Sequence, residues 1–185
     1  MRLAVVIMGV SGCGKSAVAD GVARQLRLRA VDGDDLHAPE AVAKMRAGVP
    51  LADTDRWPWL DRVGATLADA VASPAGAVVA CSALRRAYRD RLRAACPGLR
   101  FVFLDGDEAL ITARLEDRRG HYMPPSLLAT QLQTLEHPGP GETDVLRLDI
   151  AQPLATVVEQ ASTALAGADT FDCPNITASP QEHRT

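Results

Sequence analysis

The chain has 185 residues, with 20 lysines and arginines against 23 aspartates and glutamates, so its formal net charge is −3. This length suits one domain with one sizeable core. The weakly acidic balance excludes an overall basic field that would hold nucleic acid. No apolar run is long enough to span a bilayer, and the apolar N-terminus has no signal-peptide cleavage site. The four cysteines form no C-x-x-C pair, which favours reduced thiols in a cytoplasmic protein.

Apolar strand-like runs alternate with amphipathic helical segments along the chain. This alternation predicts an α/β fold in which helices cover both faces of a parallel sheet. The predicted strands span residues 3–8, 28–32, 77–81, 100–104 and 145–150. We expect one domain over residues 1–167 and a flexible tail over residues 168–185, where the apolar periodicity has stopped.

A phosphate-binding loop follows the first predicted strand. Its eight residues fit the pattern G-x-x-x-x-G-K-[ST], and a helix is predicted over residues 17–26 directly after it. In such a loop the backbone N–H groups surround a phosphate chain. Lys15 is expected to reach the β- and γ-phosphates, and the Ser16 hydroxyl to ligate Mg²⁺. The predicted nucleotide-binding residues here are Gly9, Val10, Ser11, Gly12, Cys13, Gly14, Lys15 and Ser16.

A cluster of aspartates follows the second predicted strand. The third predicted strand does not end in the acidic residue of a usual Walker B strand, so a carboxylate for the site must come from another segment. The best source is residues 32–35, which read Asp-Gly-Asp-Asp. Because ligands gather beyond the carboxyl ends of parallel strands, this cluster is expected to face the phosphate loop. Asp34 is the leading candidate to accept the proton of an attacking hydroxyl and to help hold Mg²⁺. The alternative is ordinary turn chemistry.

Two segments depart from the simple alternation and are expected to be functional. Residues 39–60 form an insertion that contains a short helix and two tryptophans, at least one of which we expect in the core. An apolar stripe at helical spacing follows the insertion, comprising Leu60, Val63, Leu67 and Val71. Residues 114–135 form a basic segment in which Gly120 offers a hinge, as in a lid that closes over a triphosphate. Its arginines, Arg114, Arg118 and Arg119, are expected to clamp the phosphates, the alternative being a solvated basic face.

Arginines also follow the third predicted strand. Arg85 and Arg86 are placed to bind a substrate carboxylate. Arg89, Arg91 and Arg93 are expected on an exposed face with Asp90. Nearer the C-terminus, Asp107 is predicted to cap a helix, and Pro153 to be the first residue of the last helix. The predicted buried face of that last helix comprises Leu154, Val157, Val158, Ala161 and Leu165.

Together these motifs resemble one family, the small gluconokinases of the thermoresistant type, which have a nucleoside-monophosphate-kinase-like P-loop fold. The resemblance spans the chain up to the last helix and is most specific in DGDDLH at residues 32–37 and CSALRRAYRD at residues 81–90. Further matches are Lys44-Met45, GVPL-x-D at residues 48–53, DR-x-PWL at residues 55–60, RGH at residues 119–121 and Q-x-x-TLE at residues 131–136.

The resemblance implies ATP-dependent phosphorylation of D-gluconate at its 6-hydroxyl, with Mg²⁺, a five-stranded parallel sheet, a mobile lid and a homodimer. Carried over residue by residue, it favours Lys15, Asp34 and Arg119 as catalytic residues. It favours Ser16 and Asp34 at the metal, and Asp34, Lys44, Arg56, Arg85 and His121 at gluconate. Two alternatives remain open at this point: a related small-metabolite kinase, such as a shikimate-type kinase, and a nucleotide-binding switch protein. The absence of the guanine-specificity pattern N-K-x-D counts against a GTPase.

Overall fold

The structure is a computed structural model, and it describes residues 3–116 and 125–167. Its strands are β1 (Ala4–Met8), β2 (Arg29–Asp32), β3 (Ala77–Ala80), β4 (Arg100–Asp105) and β5 (Val145–Asp149). Its α-helices are α1 (Lys15–Leu26), α2 (Pro39–Arg46), α3 (Asp53–Ala72), α4 (Arg86–Ala95), α5 (Glu108–Glu116), α6 (Pro125–Thr134) and α7 (Leu154–Gly167). A short 3₁₀ helix, Gly33–Leu36, follows β2. All five predicted strands are confirmed to within one residue at each end.

The five strands form one parallel sheet in the order β2-β3-β1-β4-β5. The central strand β1 is buried along its whole length, as expected for a continuous apolar run with helices on both sides. Alternate residues of β1 supply the two cores, since successive side chains of a strand point to opposite faces. Val5 and Ile7 pack with α1 and α7, whereas Val6 and Met8 pack with α3 and α4. The predicted α/β sheet with helices on both faces is therefore confirmed.

Helix α3 begins earlier than the sequence pattern indicates. It starts at Asp53, so the predicted insertion over residues 39–60 consists of α2, a short connection and the first two turns of α3. Pro58 lies inside α3, where it removes one backbone donor. The predicted stripe is confirmed: Leu60, Val63 and Leu67 are fully buried, and Val71 is partly buried.

The last helix differs from its prediction in two details. Pro153 precedes α7 rather than opening it, and its carbonyl accepts the N–H of Val157. Leu154 is 51% exposed, so the prediction that it belongs to the buried face is wrong. It lies in the first turn of α7, whereas Val157 and Leu165, further along the same face, are buried. None of the helices in the described ranges is long and apolar enough to cross a membrane.

Candidate active site

The phosphate loop connects β1 to α1 in the strand–loop–helix arrangement that its motif requires. Gly9, Gly12 and Gly14 have positive φ angles of 141°, 86° and 96°, a region that favours glycine. A Cβ atom at Gly12 would also lie 2.7 Å from Leu115 Cγ, because α5 packs directly on the loop. Helix α1 begins at Lys15, so its N-terminal N–H groups face the loop and favour an anion there.

The loop's two reactive side chains both have partners in this structure. Lys15 Nζ donates a hydrogen bond of 2.9 Å to the carbonyl of Val10, so the ammonium folds over its own loop. The Ser16 hydroxyl donates to Asp32 Oδ2 at 3.0 Å. The other oxygen of Asp32 accepts the backbone N–H of Asp34 at 3.0 Å and thereby fixes the turn that carries Asp34. Asp32 belongs to the aspartate cluster that was expected to face the phosphate loop, but within that cluster the catalytic and metal roles were predicted for Asp34 alone.

The donors around Ser16 suit Mg²⁺. A hydroxyl and a carboxylate lie together at the start of α1, and Mg²⁺ prefers oxygen ligands while keeping water and substrate phosphates in its shell. Within residues 3–116 and 125–167, no three His, Cys, Asp or Glu side chains converge to form a metal cage. This arrangement fits a metal ion held chiefly with the nucleotide. The predicted pairing of Ser16 with Asp34 at the metal stays a prediction, with Asp32 as the carboxylate in contact with Ser16.

A cavity of about 230 Å³ opens beside the phosphate loop. It brings together the predicted site residues Lys15, Asp34 and Arg56. Lys44 and Arg85 have acidic partners nearby: Lys44 Nζ lies 2.7 Å from Asp55 Oδ1, and Arg85 Nη1 donates to Asp53 at 2.8 Å. The lining residues that were not predicted as site residues include His37, Trp59, Tyr88 and Gln131.

His37 forms part of the cavity wall as a neutral imidazole. Its ring stacks on Trp59 with centroids 4.3 Å apart, and the Trp59 indole N–H donates to the carbonyl of Gly33 at 2.7 Å. Burial, together with the charges of Arg62 and Arg56, lowers the pKa of His37 from 6.5 to about 4. Its buried Nδ1 has no hydrogen-bond partner among the described residues. Trp59 is 2% exposed, so it fulfils the core role expected of at least one tryptophan while also lining the cavity.

Gln131 on α6 contacts the phosphate loop directly. Its Oε1 accepts the backbone N–H of Ser11 at 2.7 Å, and its Nε2 donates to the Ser11 hydroxyl at 3.1 Å. The contact joins positions 120 residues apart, so no local pattern could predict it. It ties the helix that ends the predicted lid segment to the loop that is expected to hold the phosphates.

The predicted lid arginines are only partly described. Arg114 Nη2 donates to the carbonyl of Ile150 at 2.7 Å, beside the end of β5. Arg118, Arg119 and His121 lie outside the described residues. Their predicted roles in clamping phosphates and binding gluconate stay predictions, as does the role of Arg114.

The prediction that Arg89 lies on an exposed face is wrong. The side chain of Arg89 is fully buried and forms two hydrogen bonds of 2.7 Å to the carboxylate of Glu142. Its Nη1 also donates to the carbonyls of Ala83, Leu84 and Glu136. The inward face of α4 tolerates this charge because Glu142, 53 residues away, neutralises it. Arg91 is 43% exposed and pairs with Asp61 on α3, as expected of a surface residue.

Comparisons with known proteins identify the family. The family model described as an AAA domain matches residues 5–138. The thermoresistant gluconokinase of Escherichia coli (strain K12) is 47% identical over 153 residues, which cover 83% of this chain and 87% of that protein. The chain belongs to the gluconokinase family. A crystal structure of a gluconokinase from Sinorhizobium meliloti 1021 is 49% identical, with a TM-score of 0.80 over 89% of this chain and 92% of that one.

Membership of the gluconokinase family makes this chain a kinase, as the phosphate loop and its geometry predict. More distant structures share the fold alone. Shikimate kinase from Aquifex aeolicus vf5 has a TM-score of 0.54 at 16% identity, covering 89% of this chain and 97% of that one. The predicted P-loop kinase fold is therefore confirmed, and the nucleotide-binding switch protein is not favoured.

Proposed function

We propose that this protein phosphorylates the 6-hydroxyl of D-gluconate with ATP and Mg²⁺, giving 6-phospho-D-gluconate and ADP. One observation carries the proposal: a single cavity is lined both by Lys15 of the phosphate loop with Asp34, and by the guanidinium of Arg56. Such a cavity has groups for phosphoryl transfer and a cation for an acid substrate. The names of the relatives, which are gluconokinases, support the choice of acid.

The donor side uses the loop and the first turn of α1. Backbone N–H groups there surround the phosphate chain, and Lys15 leaves the Val10 carbonyl to contact the β- and γ-phosphates. Ser16 and the neighbouring Asp32 would hold Mg²⁺, which neutralises charge on the phosphates when bound. Arg114, Arg118 and Arg119 are proposed to stabilise the negative charge of the transferring phosphoryl group.

The acceptor side positions and activates one hydroxyl. The oxygen of the 6-hydroxyl forms a bond to the γ-phosphorus of ATP, and the bond between the γ-phosphorus and the oxygen that stays on the β-phosphate of ADP breaks. Asp34 accepts the proton of the hydroxyl. Arg56, Arg85, Lys44 and His121 are proposed to hold gluconate. A neutral imidazole has one nitrogen that donates and one that accepts a hydrogen bond, so His37 can bind hydroxyls of the sugar acid without adding a positive charge to the site.

A coupled assay of ADP release tests the function. Gluconate should exceed shikimate as acceptor by orders of magnitude, and gluconate-dependent turnover should collapse in Lys15→Ala and Asp34→Asn. We expect a loss of at least 100-fold for Asp34→Asn, the lower range for removing a general base. Arg91→Ala, a surface variant outside the cavity, should match the parent. Equal rates with shikimate would favour a shikimate-type kinase, and a fully active Asp34→Asn would contradict the assignment of the base.

Two further expectations rest on the resemblance and belong to the same proposal. We infer that the enzyme acts in the cytoplasm as a homodimer. A mass in solution twice that of one chain would support the dimer, and a single-chain mass would contradict it.

A further inference from the structure

The carboxylate of Asp53 joins three side chains beside the cavity. Its Oδ1 accepts the Tyr88 hydroxyl at 2.6 Å, and its Oδ2 accepts Arg85 Nη1 at 2.8 Å. Arg56 Nη1 donates to the Tyr88 hydroxyl oxygen at 3.3 Å and lies 3.5 Å from Asp53 Oδ1. The four groups therefore form one connected unit, which we call the Asp53 unit: Asp53, Arg56, Arg85 and Tyr88.

The charges of this unit explain why Asp53 is needed. Two guanidinium groups near one phenol ring repel each other, and both carbons Cζ lie 5.8 Å from the Tyr88 ring centroid. Asp53 offsets one of the two positive charges and accepts one hydrogen bond from the Tyr88 hydroxyl and one from Arg85. The pKa of Asp53 is lowered, first by the hydrogen bond from Tyr88 and then by Arg85 and Arg56, so it stays ionised near neutral pH. The unit keeps one net positive charge, which matches one carboxylate.

Part of the Asp53 unit lines the substrate cavity. Arg56 and Tyr88 both line the cavity that also contains Asp34 and Lys15. Arg56 is the less exposed of the two arginines, with 20% of its side chain accessible against 39% for Arg85. Guanidinium groups bind carboxylates through charge-assisted hydrogen bonds. An acid that enters this cavity therefore meets the guanidinium of Arg56, which Tyr88 and Asp53 already hold in place, with Arg85 bound to the same aspartate.

We propose that Asp53 is a positioning residue for acid recognition: it holds Arg56, Arg85 and Tyr88 as one unit that receives the carboxylate of the acceptor. The inference rests on the proposed function, because it assumes that the acceptor is a hydroxy acid. Lys15 and Asp34 line the cavity and Asp53 does not, so removing the Asp53 carboxylate should weaken binding of the acid end and leave phosphoryl transfer nearly intact.

The test compares Asp53→Asn with the parent on two acceptors. D-Gluconate carries the carboxylate, and D-glucitol has the same chain of hydroxyls with a neutral end. We expect the KM for gluconate to rise about tenfold, the size of one lost charge-assisted hydrogen bond, with kcat changed less than about threefold. The kcat/KM for glucitol should stay unchanged, since a neutral end gains nothing from the unit. A purely structural role would instead change both acceptors alike.

Asp61→Asn is the matched control. Asp61 lies on the same helix and also forms an ion pair with an arginine, Arg91 of α4, at 2.6 and 2.8 Å. Unlike the Asp53 unit, which contributes Arg56 and Tyr88 to the cavity lining, neither member of this pair lines the cavity. Its kinetics with both acceptors should equal those of the parent. If Asp53→Asn unfolds, Tyr88→Phe tests the same unit by removing only the hydroxyl, and should raise the KM for gluconate alone by about threefold.

The outcomes separate this inference from the proposed function. An unchanged KM for gluconate in Asp53→Asn overturns the inference, because Asp53 would then have no effect on gluconate binding. A lowered KM also overturns it, because Asp53 would then compete with the acid for the arginines. Failure of the parent to phosphorylate gluconate overturns the proposed function instead. Binding of gluconate then decides the inference, and the fluorescence of the two tryptophans can follow it, because Trp57 contacts Tyr88 edge-on and Trp59 lines the cavity. Weaker binding in Asp53→Asn supports the inference, and equal binding overturns it.

Discussion

At the scale of single residues, burial and pairing decide what an arginine does. Arg89 and Arg91 are two positions apart on α4, yet Arg89 is fully buried and Arg91 is 43% exposed. Arg89 holds the carbonyls of Ala83 and Leu84, in the segment that leads from β3 to Arg85. Ala83 has a φ of 43°, an unusual angle for alanine, and it is fully buried. The Arg89–Glu142 pair therefore stabilises a backbone conformation next to the site.

Glu142→Gln should destabilise the protein at neutral pH. The change leaves the buried charge of Arg89 without a full counter-charge, which typically costs about 3–5 kcal/mol, or a Tm lower by roughly 10 °C in a chain of this size. Thermal unfolding followed by circular dichroism measures this. Asp61→Asn, which removes an exposed pair, should cost less than about 1 kcal/mol.

The stability difference between the parent and Glu142→Gln should depend on pH. Burial alone would raise the pKa of Glu142, but hydrogen bonds from Arg89 and Arg93 outweigh it and lower the pKa from 4.5 to about 2. A carboxyl whose folded-state pKa is lowered contributes stability above pH 4.5, and this is lost as the pH falls towards 2. The Tm difference between the parent and Glu142→Gln should therefore narrow below pH 4.5. A difference that stays constant down to pH 3 would contradict the pairing.

At the scale of elements, close packing of α3 on α4 positions one side of the cavity. Helix α3 carries Asp53 and Trp59, and α4 carries Tyr88. Gly64 lies in the middle of α3, where a Cβ atom would be 2.7 Å from the Cβ of Ala95. Glycine weakens a helix interior, so its presence here reflects the close approach of the two helices.

Gly64→Ala should lower the free energy of unfolding by about 1–2 kcal/mol, because overpacking outweighs the gain of about 1 kcal/mol in helix propensity. Urea unfolding measures the change. Adding Ala95→Gly should restore part of the loss, since it reopens the contact. Gly167→Ala is the control: apart from its chain neighbours and its own helix backbone, no atom of the described residues lies within 4 Å of a Cβ there, and the change should be neutral or slightly stabilising. A more stable Gly64→Ala would contradict the contact.

At the scale of the whole molecule, the cavity joins parts of the chain that are far apart in sequence. The phosphate loop, the turn after β2, α3, the start of α4 and α6 all contribute lining residues. The cavity exists only in the folded protein, so a ligand that binds there does not bind the unfolded chain and should raise thermal stability.

Gluconate should therefore stabilise the folded protein. At a concentration of about 100 times its Kd the expected gain is about 2.7 kcal/mol, or roughly 5–10 °C in Tm. Shikimate at the same concentration should give a much smaller shift. Differential scanning fluorimetry checks both, and equal shifts would argue against selection of gluconate by this cavity.

The sequence by itself determined the architecture and the local geometry of the phosphate loop. Apolar runs predicted the three inner strands β1, β3 and β4 most clearly, because a strand covered on both faces needs a continuous apolar segment. The edge strands β2 and β5 are partly exposed and carry charged residues, so their pattern is weaker. The phosphate loop predicted its own geometry, since its glycines, Lys15 and Ser16 are adjacent in the chain and act locally. The helical stripe on α3 was equally visible, because helical periodicity is a local signal.

Only the tertiary structure decided which side chains meet across the fold. The contacts of Ser16 with Asp32, Ser11 with Gln131 and Arg89 with Glu142 span 16, 120 and 53 positions. A charged residue shows in sequence that it needs a partner, but not which partner or whether water suffices. That choice depends on how the helices pack on the sheet, and this packing buried Arg89, left Arg91 at the surface and assembled the Asp53 unit beside the cavity.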